Sequence, residues 1–386
     1  MFSNLIVRVG SALTTLILSL AASIFLSKSD FGSFTVIFSL LLLYSVIVRF
    51  GLDKAAVRFI SPVLSNSLFA NQMRNRIFSV FFLLLLITLP IPYVLHKYFL
   101  MEYEFLHVLF AFEFFSLHLF LASLLRGFDQ INLSIFLFGV WVQLCLICTL
   151  LINHLFFVQN ILNLISFYSF IGIFLSLFYL HKASALSFSF DLSFSYLEYK
   201  DIFLLFLSNL ILVGMQHFPI VILGSLATHE VVASYQYAAL FSMLFGIFPL
   251  VAISVYEVKF SLNKNEDHVL RDLSIKYFSQ RRYFILFISL LSILIFLFFK
   301  SLFDPIVLLL LVLSQIFNIY SIHFQIYNNV LGSPFLNFKI LTFSIIVLLL
   351  FSIGLGSWFS VYGVAISIFL SYFLKYILFY NFSKFI

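Results

Sequence analysis

This chain is poor in charge, cysteine, proline and glycine, and each shortage excludes something. Only 9% of its 386 residues are Asp, Glu, Lys or Arg, against about a quarter in a soluble globular protein. That is too little polar side chain to clothe a water-facing surface. Two cysteines exclude a disulfide framework. They stand three apart, as Cys145 and Cys148, inside an apolar run that offers a thiolate neither stabilisation nor access, which argues against a redox pair. Seven prolines and thirteen glycines leave the hydrophobic runs mostly unbroken. The sequence has no phosphate-cradling Gly-rich loop, metal-ligand cluster or nucleophile–base arrangement. These gaps argue against a nucleotide-driven pump and a metalloenzyme, and they imply no cofactor.

What fills the chain is hydrocarbon. Hydrophobic residues make up 63%, with 56 Phe among them. Segment after segment stays apolar for roughly 17–25 residues, the helix length that crosses about 30 Å of hydrocarbon. Twelve spans can be drawn, at approximately 5–26, 31–50, 77–95, 103–125, 131–152, 156–180, 202–226, 232–256, 284–299, 303–325, 336–354 and 358–380. Thread them alternately with the N-terminus inside, and every one of the 21 Lys and Arg except Lys28, Lys97 and Lys300 falls on the inner side. That bias places both termini in the cytoplasm, and an odd number of spans would scramble it. The net charge of +6 is thus a topology signal and no sign of a nucleic-acid partner. The first hydrophobic run lacks a small-residue cleavage site and reads as a retained span. The expectation is an all-α, multi-pass protein of the bacterial inner membrane.

The loops support this. Outer connections such as Ser27–Asp30 and Asn153–His154 are only a few residues long. The inner ones, near 51–76, 181–201 and 257–283, are longer, and the last reads as a basic amphipathic segment lying on anionic headgroups. Residues 183–201, dense in Ser, break the pattern midway. The chain therefore reads as a six-helix lobe over 1–182, a cytoplasmic linker over 183–201 and a second six-helix lobe over 202–386. Six is even, so any repeat between the lobes runs parallel. A trace of one shows: an apolar helix end, a polar turn with an acid, then a small residue before an aromatic, at Asp30–Phe34 and again at Glu230–Tyr235.

Leu26-Ser27-Lys28-Ser29-Asp30-Phe31-Gly32-Ser33-Phe34, running on to Phe50-Gly51-Leu52-Asp53-Lys54-Ala55-Ala56-Val57-Arg58-Phe59, resembles the N-terminal signature of the polysaccharide biosynthesis export proteins. That family comprises the O-antigen flippases (Wzx) within the multidrug/oligosaccharidyl-lipid/polysaccharide exporters. The segment from Glu230 through Tyr235, Gln236 and Tyr237 looks like the second-half counterpart. The resemblance implies about twelve helices in two lobes around a V-shaped central cavity. It implies a flippase moving undecaprenyl-pyrophosphate-linked oligosaccharide from the cytoplasmic to the periplasmic leaflet, among membrane lipids. It also leaves room for a proton or sodium ion as coupling partner, and for an O-antigen polymerase beside it.

Such a cargo needs polar groups inside the spans, because each unsatisfied hydroxyl in hydrocarbon costs several kcal/mol. Its pyrophosphate needs a cation, preferably an Arg fork. Arg8 and Arg49, near the inner ends of spans one and two, and Lys375 in the last span are the basic candidates; the alternative for each is snorkelling to the headgroups. Basic residues in the early spans of related flippases add weight to the first two. Glu113, an acid deep in span four, with His118 five residues on, is the candidate for ion coupling, and interhelical pairing is its alternative. His217 and Gln216 in span seven, beside Gly214 and Pro219, are placed to meet sugar hydroxyls. Gln315, Asn318 and Gln325 recur on one face of span ten, a stripe that either lines a cavity or holds helices together. Two other readings stay open: a same-fold exporter of cationic drugs, which favours acids in the cavity, and an O-antigen polymerase or ligase, which the short outer loops disfavour.

Overall fold

The computed structural model describes residues 2–60, 67–183, 199–242, 245, 282–283, 285–286, 289–290, 304–330 and 334–383. Among them every regular element is helical, and eight helices are long and apolar enough to cross a membrane, or nine if a bent pair counts as one span. The expected all-α polytopic architecture is what forms. Large apolar side chains such as Phe174, Leu309 and Trp358 stand exposed along these helices, a surface that lipid solvates and water does not.

The chain divides into two compact units, Met1–His217 and Phe218–Ile386. The first holds α1 (Phe2–Phe25), α2 (Lys28–Arg49), the short α3 (Leu52–Ile60), α4 (Ser67–Thr88), α5 (Pro90–Phe99), α6 (Phe105–Gly127), α7 (Ile131–Phe136), α8 (Val142–Ile152), α9 (His154–Ala183) and most of α10 (Tyr199–Leu226). The second holds the end of α10, then α11 over 229–242, α12 (Pro305–Val330), α13 (Pro334–Phe359) and α14 (Val361–Ser383). The second half of expected span eight, most of span nine, the basic loop near 257–283 and most of the linker over 183–201 fall outside the described residues.

The signature residues have structural causes. Ser27 caps α2: its Oγ accepts from the Asp30 N–H at 3.2 Å and donates to Asp30 Oδ2 at 2.6 Å, a reciprocal cap that starts the helix after a sharp turn. Phe31 and Phe34 follow it into the core. At the other end α2 stops because Phe50 and Gly51 take left-handed conformations, φ 44° and 77°. Gly51 serves twice there, since a Cβ would lie 2.7 Å from the Ile202 carbonyl oxygen and 2.8 Å from the Phe206 nitrogen of α10. Phe50 stacks on Phe206 with centroids 4.3 Å apart. Ala55 and Ala56 are fully buried and bring α3 close to α6 at Gly127.

Two helices break the expected pattern. Span three begins ten residues earlier than the hydropathy suggests, in polar residues including Arg74, which is fully buried. It also bends by 41° between α4 and α5, because Pro90 and Pro92 cannot donate to the preceding turn. Span five is α-helical at both ends but takes a π turn over Leu137–Trp141, a geometry that offsets one residue and frees carbonyls for side chains.

Candidate functional site

The chemistry gathers in two places, one in each unit. In the first unit, Arg49 is the last residue of α2 and only 3% exposed. Its Nε donates to the Ser45 carbonyl at 2.8 Å, its Nη2 to Ser45 Oγ at 3.3 Å, and its Nη1 to Asp53 Oδ2 at 3.1 Å. The guanidinium therefore closes the helix end and reaches across the Phe50–Gly51 turn to a carboxylate. Its carbon also lies 5.0 Å from the Phe138 ring centroid, on the π turn, with Arg126 5.9 Å from the same ring. Lys54 shares the neighbourhood: burial pulls its ammonium below the usual lysine range, with Asp53 opposing and Arg49 adding to the effect. Arg8 lies in α1, and its side chain is outside the described residues.

Glu113 is buried in α6, and the Tyr44 hydroxyl of α2 donates to its Oε1. The same hydroxyl lies 3.4 Å from Thr88 Oγ1, at the end of α4. Glu113 Oε2 has no partner among the described residues. The acid is thus tied to a phenol, while Arg49 of span two pairs with Asp53 instead. His118 turns elsewhere. Its Nε2 donates to the Leu137 carbonyl at 2.8 Å, at the start of the π turn, and its ring lies against Gly172 of α9, where a Cβ would collide with it. Glu113 and His118 share a helix but not a site. His217 Nδ1 is 3.1 Å from Ser39 Oγ of α2, while Gln216 beside it is exposed. Pro219 sits inside α10, so the Met215 carbonyl loses its usual helical donor. Gln143, on α8, accepts from Thr15 Oγ1 of α1 at 3.0 Å.

In the second unit, Lys375 of α14 is 3% exposed and donates from Nζ to Asn318 Oδ1 of α12 at 2.9 Å. Asn318 passes the polarity on, with its Nδ2 donating to Gln315 Oε1 at 3.3 Å. The ammonium also lies 5.5 Å from the Tyr372 ring centroid. Lys375 has no carboxylate partner among the described residues. Three residues named from the sequence on two separate grounds, the Gln315–Asn318 stripe and the basic candidate Lys375, are here one connected group. Gln325, further along the same stripe, is buried. An ammonium with three donors and one acceptor in hand is an anion-receiving arrangement.

With this geometry in view, comparison with solved structures is informative. The lipid II flippase MurJ in an inward closed conformation superposes with a TM-score of 0.70 at 14% identity, covering 100% of this chain and 88% of that one. A Vibrio cholerae MATE transporter, VcmN, gives 0.61 at 13%, covering 100% and 98%. An inward-facing multidrug resistance MATE transporter of the MOP superfamily gives 0.61 at 13%, covering 99% and 97%. The chain has the fold of the MOP exporters. No family model and no curated protein matches the sequence.

Within this MOP fold, several residues of the two clusters were not legible in advance. Tyr44 is the clearest: a tyrosine in mid-span, away from the interfacial belt where the residue is usual, is itself a signal for a buried hydroxyl partner. Asp53 stands four residues after Arg49, but across a turn, where helical spacing carries no meaning. Phe138 is one of 56 phenylalanines, and nothing in the sequence marks it as the ring two guanidinium groups approach. Among the described residues no group of three or more His, Cys, Asp or Glu could hold a metal ion.

Proposed function

We propose that this protein is a flippase for undecaprenyl-pyrophosphate-linked oligosaccharide, an O-antigen repeat unit, moving it from the cytoplasmic to the periplasmic leaflet of the bacterial inner membrane. The fold supports a membrane transporter, and the neighbours include both a lipid flippase and multidrug exporters. The observation that favours the lipid-linked, anionic cargo is Lys375, a buried ammonium whose partner is the amide of Asn318, itself bonded to Gln315, with no carboxylate partner among the described residues. A buried cation without a counter-ion is costly, and a pyrophosphate would complete it. Arg8, near the inner end of the first span, is a further basic candidate in keeping with the signature in the sequence, whereas Arg49 is spent on Ser45 and Asp53. Gln216 and His217 supply hydrogen-bonding groups suited to sugar hydroxyls. Glu113, with one carboxylate oxygen free among the described residues, is the group through which a proton or sodium ion would couple to transport. In this reading the two six-helix lobes, 1–182 and 202–386, joined through 183–201, alternate access around the cargo, and an O-antigen polymerase is the natural recipient outside.

The test is deletion of the gene in its host, followed by analysis of surface polysaccharide and of the undecaprenyl-linked pool. Loss of surface O-antigen, with single-unit lipid-linked oligosaccharide trapped on the cytoplasmic leaflet, is the expected result. Surface chains that shorten to single units point to a polymerase instead, and unchanged polysaccharide sends the search to another cargo.

A further inference from the structure

The Tyr44 hydroxyl has a single hydrogen and two acceptors within reach of it. From α2 the phenol donates to Glu113 Oε1 of α6, and its oxygen lies 3.4 Å from Oγ1 of Thr88, the last residue of α4. Thr88 spends its own hydrogen on the Leu84 carbonyl at 2.8 Å, with the Leu85 carbonyl at 3.1 Å, so toward the phenol it can only accept. Tyr44, Glu113 and Thr88 are 1%, 9% and 8% exposed. Phe112 meets the Tyr44 ring edge-on at 5.4 Å between centroids and holds the phenol in place. Glu113 Oε2 is enclosed and has no partner among the described residues.

These groups answer a proton in a definite way. While Glu113 is ionised it takes the phenol hydrogen, and Thr88 receives none. A proton placed on Oε2 would bury a hydroxyl with no acceptor among the described residues, which is costly. A proton on Oε1 donates to the phenol oxygen, and the phenol hydrogen then turns to Thr88. The tie of α2 so moves from α6 to the end of α4, beside the 41° bend between α4 and α5. A sodium ion asks for something else, a shell of oxygens such as the carbonyls of an unwound helix, and α2 and α6 are unbroken where Tyr44 and Glu113 meet. The other titratable groups on the elements packed against α6 are engaged elsewhere. His118 bonds the Leu137 carbonyl, Arg49, Asp53 and Lys54 gather at the α2–α3 turn, His96 of α5 bonds the Tyr103 carbonyl, and Tyr168 of α9 pairs with Thr149. Among the described residues Tyr44 is the one electrostatic partner of Glu113.

We infer that the coupling ion at Glu113 is a proton, and that Tyr44 passes its arrival on to Thr88 by exchanging one hydrogen bond for another. This rests on the coupling role proposed for Glu113 and adds to it which ion binds and which helix receives the signal.

The experiment uses the full-length protein in lipid nanodiscs and infrared difference spectroscopy, with protons and sodium as the only probes. The protonated-carboxyl band that is missing in Glu113→Gln should grow as the pH falls, and saturating sodium at fixed pH should not displace it. Tyr44→Phe takes the donor from the ionised form, so the proton affinity should rise about tenfold. Thr88→Val takes the acceptor from the protonated form, so the affinity should fall about threefold; this variant carries the test if Tyr44→Phe does not fold. A carboxyl band that ignores pH, or that sodium displaces, overturns the proton assignment. Thr88→Val that titrates like wild type, or that shifts the same way as Tyr44→Phe, overturns the relay and leaves Tyr44 a fixed tie between α2 and α6. Cargo is absent throughout, so a flippase reading that fails on gene deletion leaves these readouts standing, and their failure leaves the cargo assignment where it was.

Discussion

Arg49 and Lys375 are both cations buried in membrane helices, and the protein holds them in opposite ways. Arg49 spends its forks on Ser45 and Asp53, so removing it strands a carboxylate whose side chain is only 12% exposed. Arg49→Ala should therefore lower stability by about 3 kcal/mol, the scale for breaking a largely buried pair, and any loss of export should follow loss of folded protein. Lys375 has the Asn318 amide for company and, among the described residues, no carboxylate to strand. Lys375→Met should leave thermal unfolding of the purified protein unchanged or slightly raised while surface polysaccharide disappears, and Lys375→Arg should restore part of it. A fall in melting temperature for Lys375→Met as large as that for Arg49→Ala would make the lysine structural. The same logic separates the halves of the Tyr44–Glu113 contact. Glu113→Gln keeps an acceptor for the phenol, so its fold should survive and any defect in export reports the charge itself. Tyr44→Phe leaves the buried carboxyl without its donor and should cost about 1–3 kcal/mol, read by the same melts.

Elements are placed less by hydrophobicity, which nearly every helix shares, than by a few positions where backbones nearly touch. Gly51 is the sharpest, with a left-handed φ of 77° and the Ile202 carbonyl 2.7 Å from where a Cβ would stand. Backbone strain and a backbone collision act together there, and neither neighbour is a flexible side-chain tip that could swing aside. Gly51→Ala should cost at least about 2 kcal/mol and lower the yield of folded protein from membranes, whereas Gly10→Ala, with nothing within 4 Å, should melt like wild type. This also explains what could be read from the sequence. Helix after helix was legible, because a 20-residue apolar run permits little else. The Gln315–Asn318 stripe was legible too, since amides at an offset of three share a face. The bend between α4 and α5 was not drawn although Pro90 and Pro92 announce it, because the hydropathy runs straight through. The π turn at Leu137–Trp141 was invisible, for it shifts the pattern by a single residue in a run where every position is apolar. Partners such as Tyr44 for Glu113, 69 residues away in the chain, are set by which helices pack, and a single helix does not encode its neighbour.

At the scale of the whole molecule, the fold is one shared with a lipid flippase and multidrug exporters, and the distribution of charge sets which way it is expected to face. Direction matters, because a flippase for a cytoplasmically made lipid-linked sugar works only if its cargo enters from the inner leaflet. The expected orientation rests on a threading of the sequence that leaves only Lys28, Lys97 and Lys300 of its 21 basic residues outside, a bias that the insertion machinery reads from short loops. It is tested with single cysteines in a background lacking Cys145 and Cys148, since the native Cys148 is itself exposed. Cysteines at Asn153 and Lys300 should react with a membrane-impermeant maleimide added to intact spheroplasts. One at Asn265, in the basic loop, should react only after the membrane is opened. The chemistry is the same at all three positions, so a difference in labelling reports the side of the membrane and not thiol reactivity. Labelling of the Asn265 variant in intact cells, with the other two protected, would turn the protein over, and import rather than export would become the reading that its charges support.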